Sequence, residues 1–519
     1  MKPKGRLLVI AIQEATLDLI RPWASIGILP ALKQMIDTGT SGTIVGKEPL
    51  STPHSWGNIL TGQGAGRHGV FDFWQRDELG RFFPTSRKSL REKPVWTLLE
   101  ERGLKPAIIN APLTYPPQAS GGFMVSGFDA PGITSAIADP PEIYEQIISR
   151  FGRYTPGAVF PGGRQKSDYL GLFERETVRQ GEVYAHLLGK NEWDFAIVYF
   201  VDAAMAQHYF WADMASGDAD NPYRDVLKTA YRCLDDAVAR LIAVAGPDAT
   251  VFVISECGAG PIRYGVQINT WLQNEGLLGW KRPESGSSRL ISPLAGSTFR
   301  ASVRLGKALA RRHMPESIRF WLNQHVPALQ GSEADSIKGI DWTRTRAFAH
   351  GKEGSLFINL RGRDPHGIVA PGAEYESVRQ SIIDRLGELR DPETGQKAVT
   401  RVYRREELFQ GPRINLAADL FIEWLDDMYM PAEQERERNK VFVTRYRAGM
   451  SWPTSGSHRL EGVLIASGPH IKPGGEVSGA SIFDLLPTWL YLLGQPVPEG
   501  LEGRVIDGLL AETSGERVR

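Results

Sequence analysis

The sequence predicts an α/β fold built on one large, mostly parallel sheet with helices on both faces. Three observations carry that expectation. Residues 7–12, 107–110, 195–200, 250–255, 419–424 and 462–467 are short and nearly all apolar, as strands buried on both faces are. Between two of them, residues 222–241 set Val226, Leu227, Ala230, Cys233, Leu234, Ala237, Val238 and Leu241 at helical spacing, which gives one buried face. Strand and helix then alternate along the chain, the order that a doubly wound sheet requires.

The bulk properties agree. The chain has 519 residues, 42% of them hydrophobic and 23% charged, an ordinary globular balance that excludes wholesale disorder. Lysine plus arginine and aspartate plus glutamate number 60 each, so no basic surface for nucleic acid or anionic membrane is expected. Two cysteines, Cys233 and Cys257, rule out a disulfide framework and suit a reducing compartment. The first apolar run spans residues 7–12. That is shorter than the about 7–15 residues of a signal-peptide core or the about 20 of a membrane helix. A cytoplasmic protein without a membrane partner is the expectation, while oligomeric state is not legible. We expect one domain over 1–519, with 282–339 as an insertion over the sheet. That stretch opens with a polar Pro-Glu-Ser-Gly-Ser-Ser segment and continues with a basic, helix-like stretch at 300–313.

In an open parallel sheet, functional groups gather beyond the carboxyl ends of the strands. That rule selects Gln13-Glu14, Asp202 to His208, and Ser255-Glu256-Cys257, together with the loops at 49–56 and 456–462. Converged at one edge, these segments bring a hydroxyl, two histidines, carboxylates and a thiol, the equipment of an ester-transfer or metal site.

The motifs carry a resemblance. Thr52 with Thr61-Gly62, followed by His68-Gly69-Val-Phe-Asp-Phe73, resembles the nucleophile segment of the alkaline phosphatase superfamily, in its type I phosphodiesterase and nucleotide pyrophosphatase branch. Asn110-Ala-Pro-Leu-Thr-Tyr-Pro-Pro117, Asn269-Thr-Trp-Leu272, Asn359-Leu-Arg-Gly-Arg363, Gly456-Ser-His458-Arg-Leu-Glu-Gly462 and Asp484-Leu-Leu-Pro-Thr488 resemble further segments of that branch, in the same order. The resemblance implies an alkaline-phosphatase-like sandwich with cap insertions. It also implies a Thr or Ser nucleophile flanked by two divalent metals, usually zinc, which lower its pKa and hold the attacking and leaving oxygens.

The chain departs from the family's ligand pattern. Gln13 stands where the family has the first-strand Asp, Ala204 where it has an Asp four residues before His208, and Glu256-Cys257 where it has an Asp-His pair. Thr52, His208 and His458 remain. An amide is a poor zinc ligand and a methyl group is none. The resemblance therefore implies Thr52 as nucleophile and a site reduced to one divalent ion, or to none. His208, His458, Glu256, Cys257 and Asp202 are the candidate ligands.

Each assignment has a plain structural competitor. Thr52-Pro53 also reads as a helix start, and His208 as part of an aromatic helix packing on the core. On an extended chain Asp202 would share a face with Ala204 and could replace its lost carboxylate; otherwise it is a solvated loop residue. Cys257 could rebuild the site as a thiolate or be an inert buried thiol. Glu14 is set aside, because neighbours on a strand face opposite ways. Arg361 and Arg363 read either as an anion clamp or as a structural turn. Three functions follow: a diverged phosphoric-ester hydrolase or transferase acting on a small anionic ester, a pseudoenzyme that binds or scaffolds, or a metal-independent transferase in which His208 or His458 is the base for Thr52.

Overall fold

The computed structural model describes residues 5–157, 166–281, 337, 339–351, 354–432, 440–443 and 454–511. The expected insertion at 282–339, with its helix-like stretch, lies outside the described residues except for Ile337 and Gly339. A nine-stranded sheet forms the centre. In chain order its strands are β1 (Leu7–Ile12), β2 (Thr40–Val45), β3 (Pro106–Ile109), β4 (Phe123–Val125), β5 (Ala138–Asp139), β6 (Phe195–Phe200), β7 (Thr250–Ile254), β8 (Glu461–Ser467) and β9 (Gly475–Ser481). Their spatial order is β9-β2-β8-β7-β1-β6-β3-β4-β5. Only β8 and β5 run against the rest.

The uniformly apolar β1 follows from its position. Leu8, Ile10 and Ile12 enter one core, and Leu7, Val9 and Ala11 enter the other. Helices Leu172–Lys190, Asp202–Ala215 and Val226–Ala245 cover the first face, while Thr52–Thr61 and Leu485–Leu492 cover the second. A strand between two helical layers has no polar face to offer.

Two expectations are corrected. Residues 419–424 were assigned to the parallel sheet, but Leu420–Trp424 belongs to a separate four-stranded antiparallel sheet with its own core. Burial on both faces gives the same apolar run in either setting. The helical spacing expected over 222–241 falls on a helix that starts only at Val226, after a run of turns, and continues to Ala245.

Register brings the functional segments to one edge. Ile12 lies opposite Phe200, and Ala11 opposite Ile254, so residues 13–14, 201–202 and 255–257 emerge side by side. Antiparallel β8 enters from that edge, which places 456–460 beside them. Gly462 makes a close approach there: a Cβ would sit 2.0 Å from the Ser255 carbonyl oxygen and 2.9 Å from the Cys257 amide nitrogen. Gly462→Ala should therefore force β7 and β8 apart and destabilise the protein by at least about 1–3 kcal/mol. A lowered urea midpoint is the readout, and an unchanged midpoint would refute this packing constraint.

Candidate active site

β1 ends at Ile12, and Glu14 adopts a left-handed backbone with φ of 57°. Thr16 caps the next helix by accepting from the Asp18 amide, so only three residues join strand to helix. The reversal is held from several sides. Gln207 Nε2 donates to the Glu14 carbonyl at 2.9 Å, and the Ala15 amide donates to Ser255 Oγ at 3.0 Å. Tyr231 supports Gln207 through a 2.9 Å bond to its Oε1.

The turn sends Gln13 and Glu14 to different partners in one cleft. Gln13 Nε2 donates to Thr52 Oγ1 at 3.0 Å, and Thr52 is the first residue of its helix, buried there. Glu14 Oε1 lies 3.1 Å from His208 Nε2 and 3.4 Å from His458 Nδ1. Strand pairing aligns His458 with Ala259 in a short ribbon. Gly456 accepts a 2.8 Å bond from His208 Nδ1, because a carbonyl can only accept. His208 Nε2 is then left to face the carboxylate.

Glu14, His208 and His458 form the group that fits a cation among the described residues, with ligand atoms all within 4.8 Å of one another. Zinc bonds of about 2.0–2.1 Å put tetrahedral ligands about 3.3 Å apart, which matches the two Glu14–imidazole separations. The donor set, one carboxylate and two imidazoles, suits zinc or a similar ion.

The remaining candidates lie outside that group. Asp202 begins a helix instead of continuing a strand, so it does not share a face with Ala204. Its carboxylate accepts from Gln180 Nε2 at 2.9 Å and Thr177 Oγ1 at 3.4 Å, on the side of helix Leu172–Lys190. Ala204 is fully buried. Glu256 sits 3.4 Å from the Tyr199 hydroxyl, and burial, then the charge of Glu14, pushes its carboxyl up to about 8. Cys257 meets His458 Nδ1 at 3.4 Å. Arg363 is engaged with Asp419 at 2.6 Å and with Asp364 at 3.2 Å, below the second sheet, which makes its turn structural. Exposed Arg361 bonds the Ile368 carbonyl.

Glu14 is the residue that the sequence reading set aside. The alternation rule holds only for extended backbone, and the strand had already ended. Thr16, two residues on and followed by an acidic first turn, was the available signal.

A buried relay lies under the Thr52 helix. The Val70 amide donates to His68 Nδ1, His68 Nε2 donates to Asn58 Oδ1, Asn58 Nδ2 donates to His54 Nε2, and His54 Nδ1 donates to the Pro49 carbonyl. The relay ends three residues before Thr52. Burial holds His68 well below its ordinary value and His54 down at about 4.

Comparison with known proteins follows the same lines. The family model described as type I phosphodiesterase/nucleotide pyrophosphatase matches residues 7–446. No curated protein matches the chain. Among solved structures, phosphonoacetate hydrolase from Sinorhizobium meliloti 1021, in complex with phosphonoacetate, is similar with a TM-score of 0.55 at 13% identity, over 95% of this chain and 96% of that one. Murine ectonucleotide pyrophosphatase/phosphodiesterase 5 has a TM-score of 0.52 at 10% identity, over 98% and 100%. The human form scores 0.51 at 10% identity, with the same coverage. These likenesses establish an alkaline-phosphatase-like fold.

The His54 imidazole gives a pH-dependent expectation. The unfolded ring charges near 6.5, while the folded one stays neutral to about 4. Its contribution to stability is thus present above 6.5 and lost as pH falls toward 4, by up to about 1.4 kcal/mol per unit. Relative to His54→Asn, which keeps a donor toward Pro49, the parent should lose stability between pH 7 and 5. A constant gap in urea midpoints would contradict the neutral, buried imidazole.

Proposed function

Because the chain belongs to the type I phosphodiesterase/nucleotide pyrophosphatase family, we propose that it is a phosphoric-ester hydrolase or transferase with a single-ion site. Glu14, His208 and His458 would hold the ion, and Thr52 is the nucleophile. The observation that carries this reading is the closure of Glu14 on both imidazoles, at 3.1 and 3.4 Å. Glu14 supplies from the turn the carboxylate that Ala204 no longer supplies from the helix. A divalent ion bound there contributes Lewis-acid polarisation of a phosphoryl oxygen.

The chain's own groups do the rest. Gln13 orients Thr52 by donating to its Oγ, which leaves the hydroxyl proton free to depart. Thr52 attacks phosphorus, forming an Oγ–P bond as the ester P–O bond breaks and its hydroxyl proton passes to the departing ester oxygen; water or an acceptor alcohol then takes the phosphoryl group and returns a proton to Thr52. The amino end of helix Thr52–Thr61 presents its dipole to the anionic group.

The other half of the family's site is neutral here. Gln13 is an amide, Cys257 faces an imidazole, and Glu256 is held protonated near neutral pH. That half offers a second dication less fixed negative charge than the family's own ligand set does. This neutrality also favours a second reading, in which the cleft binds ligands without turning them over.

Purified protein, dialysed without added metal, should contain one transition-metal ion per chain by elemental analysis. Two zinc ions per chain would overturn the single-ion reading. Glu14→Gln should weaken retention of the ion by at least about tenfold. Thr52→Ala should keep the ion and lose turnover by at least about 10³-fold. A protein that holds no ion, and whose cellular function is indifferent to Thr52→Ala, would be the binding module.

A further inference from the structure

Gln207 and His208 are consecutive residues of helix Asp202–Ala215, and both reach Glu14. Gln207 Nε2 donates to the Glu14 carbonyl at 2.9 Å, while His208 Nε2 lies 3.1 Å from the Glu14 carboxylate. One helical turn therefore grips the backbone of a residue and faces its side chain. The segment that carries His458 closes on that turn as well. A Cβ on Gly456 would sit 2.4 Å from the Gln207 carbonyl oxygen, an approach that only glycine permits. All three members of the ion-binding cluster are thus located with respect to Gln207.

Gln207 is itself held. It is fully buried, so its amide needs a partner at each end. A carbonyl can only accept, so the Glu14 oxygen fixes the amide NH2 on its side and turns Gln207 Oε1 toward Tyr231. Tyr231, on helix Val226–Ala245, donates its hydroxyl proton to that oxygen at 2.9 Å and accepts from the Thr16 amide at 3.4 Å. Burial raises the Tyr231 hydroxyl above its ordinary range, which keeps the proton on it. The chain of bonds runs one way, from the Thr16 amide to the Glu14 carbonyl, and so closes on the turn from which it started. Packing explains the tyrosine ring, which meets Trp23 edge-on at 5.2 Å. It does not explain the hydroxyl.

Glu14 needs that hold. Its φ of 57° is disfavoured for a residue with a Cβ, and a turn released from it would carry the carboxylate off the two imidazoles. We propose that Gln207 and Tyr231 are positioning residues for the ion-binding cluster: their hydrogen bonds lock the Glu14 turn and so set the affinity and geometry with which a divalent ion is held. The inference rests on the reading that Glu14, His208 and His458 hold the ion. Both residues act through the Glu14 backbone.

The test is the zinc affinity of the full-length protein, stripped of metal and titrated in competition with a chromophoric chelator. Tyr231→Phe keeps the ring and removes the hydroxyl; Gln207→Met keeps the length and removes the amide. Each should weaken zinc binding at least about tenfold. The visible bands of the cobalt-loaded variants should also shift, because the geometry at the ion changes. Tyr184→Phe is the control. Its buried hydroxyl donates instead to the Tyr199 carbonyl at 3.1 Å, so this variant should lose stability to urea and keep the parent's zinc affinity. Combining Glu14→Gln with Tyr231→Phe should cost less than the product of the two single losses, since both act through one residue. Parental zinc affinity in either Tyr231→Phe or Gln207→Met overturns the inference. So does an equal loss in Tyr184→Phe, or losses that multiply in the double variant. Weakened binding in Glu14→Gln beside parental binding in Tyr231→Phe sinks this inference alone. Parental binding in Glu14→Gln sinks the ion-cluster reading and this inference with it. Should one of the two positioning variants not fold, the other decides.

Discussion

The reversal of the chain at Glu14 is the constraint on which the rest of the site depends. A left-handed backbone at a non-glycine residue costs about 1–2 kcal/mol, and at Glu14 it is bound on both sides. Gln207 reaches the Glu14 carbonyl from the helix that carries His208, and Ser255 takes the Ala15 amide from the end of β7. The Ser255 hydroxyl then donates to the Cys257 carbonyl at 2.6 Å. One turn thereby ties together β1, β7 and helix Asp202–Ala215. Because its residues are not extended, Gln13 and Glu14 both work in the same cleft, one on Thr52 and the other on the imidazoles.

The consequence is an uneven distribution of charge. An amide faces Thr52, and the end of β7 carries a thiol against His458 and a carboxyl that burial pushes up to about 8. Across the cleft, one carboxylate faces two imidazoles. In the proposed reading, the ion-binding capacity of the fold is gathered into the second half. The amide N–H of Gln13 faces the Thr52 oxygen, where a metal would otherwise withdraw electron density from it. A donated hydrogen bond polarises that oxygen far less than a dication does. In that reading the chemistry is slower or more selective than that of a dinuclear centre.

Much of the architecture was legible because burial on both faces leaves so plain a mark. β1 and β6 came out with their full extents, and β3, β7 and β8 within a residue of the expected bounds. The glycine-containing β2 and β9 carry no such mark, and the two-residue β5 is too short to leave one. Residues 419–424 show the limit of the signal, since an apolar run does not say which sheet it joins. In the candidate site, motif order singles out Thr52, His208 and His458, and the structure brings their side chains to Gln13 and Glu14 at one sheet edge. Asp202 and Glu14 were misjudged for one shared reason. Both arguments assumed extended backbone, at a helix start in one case and past a strand end in the other. Side-chain direction follows local backbone state, and at the carboxyl edge of a parallel sheet that state changes within one or two residues.

The two sheets also divide the labour of the cleft. The central sheet fixes Gln13, Glu14 and His208 through registers shared by three adjacent strands, a rigid support for groups that must hold sub-ångström geometry. The second sheet supplies Trp424, the turn after it Asp427, and the strand Tyr429–Pro431 of a further small sheet Tyr429, to the wall that His458 also joins. Asp426 and Asp427 both have positive φ, at 49° and 51°, so this turn, like that at Glu14, is held in a conformation its side chains disfavour. Changes to the second sheet can reshape what the cleft admits without moving Thr52 or Glu14. His458 is the exception. Its ring faces Glu14 and Cys257, its carbonyl accepts from Arg459, and its side chain walls the acidic cleft. His458 therefore stands both against the carboxylate of the β1 turn and in the wall beside the second sheet, so the two parts of the cleft meet through one side chain.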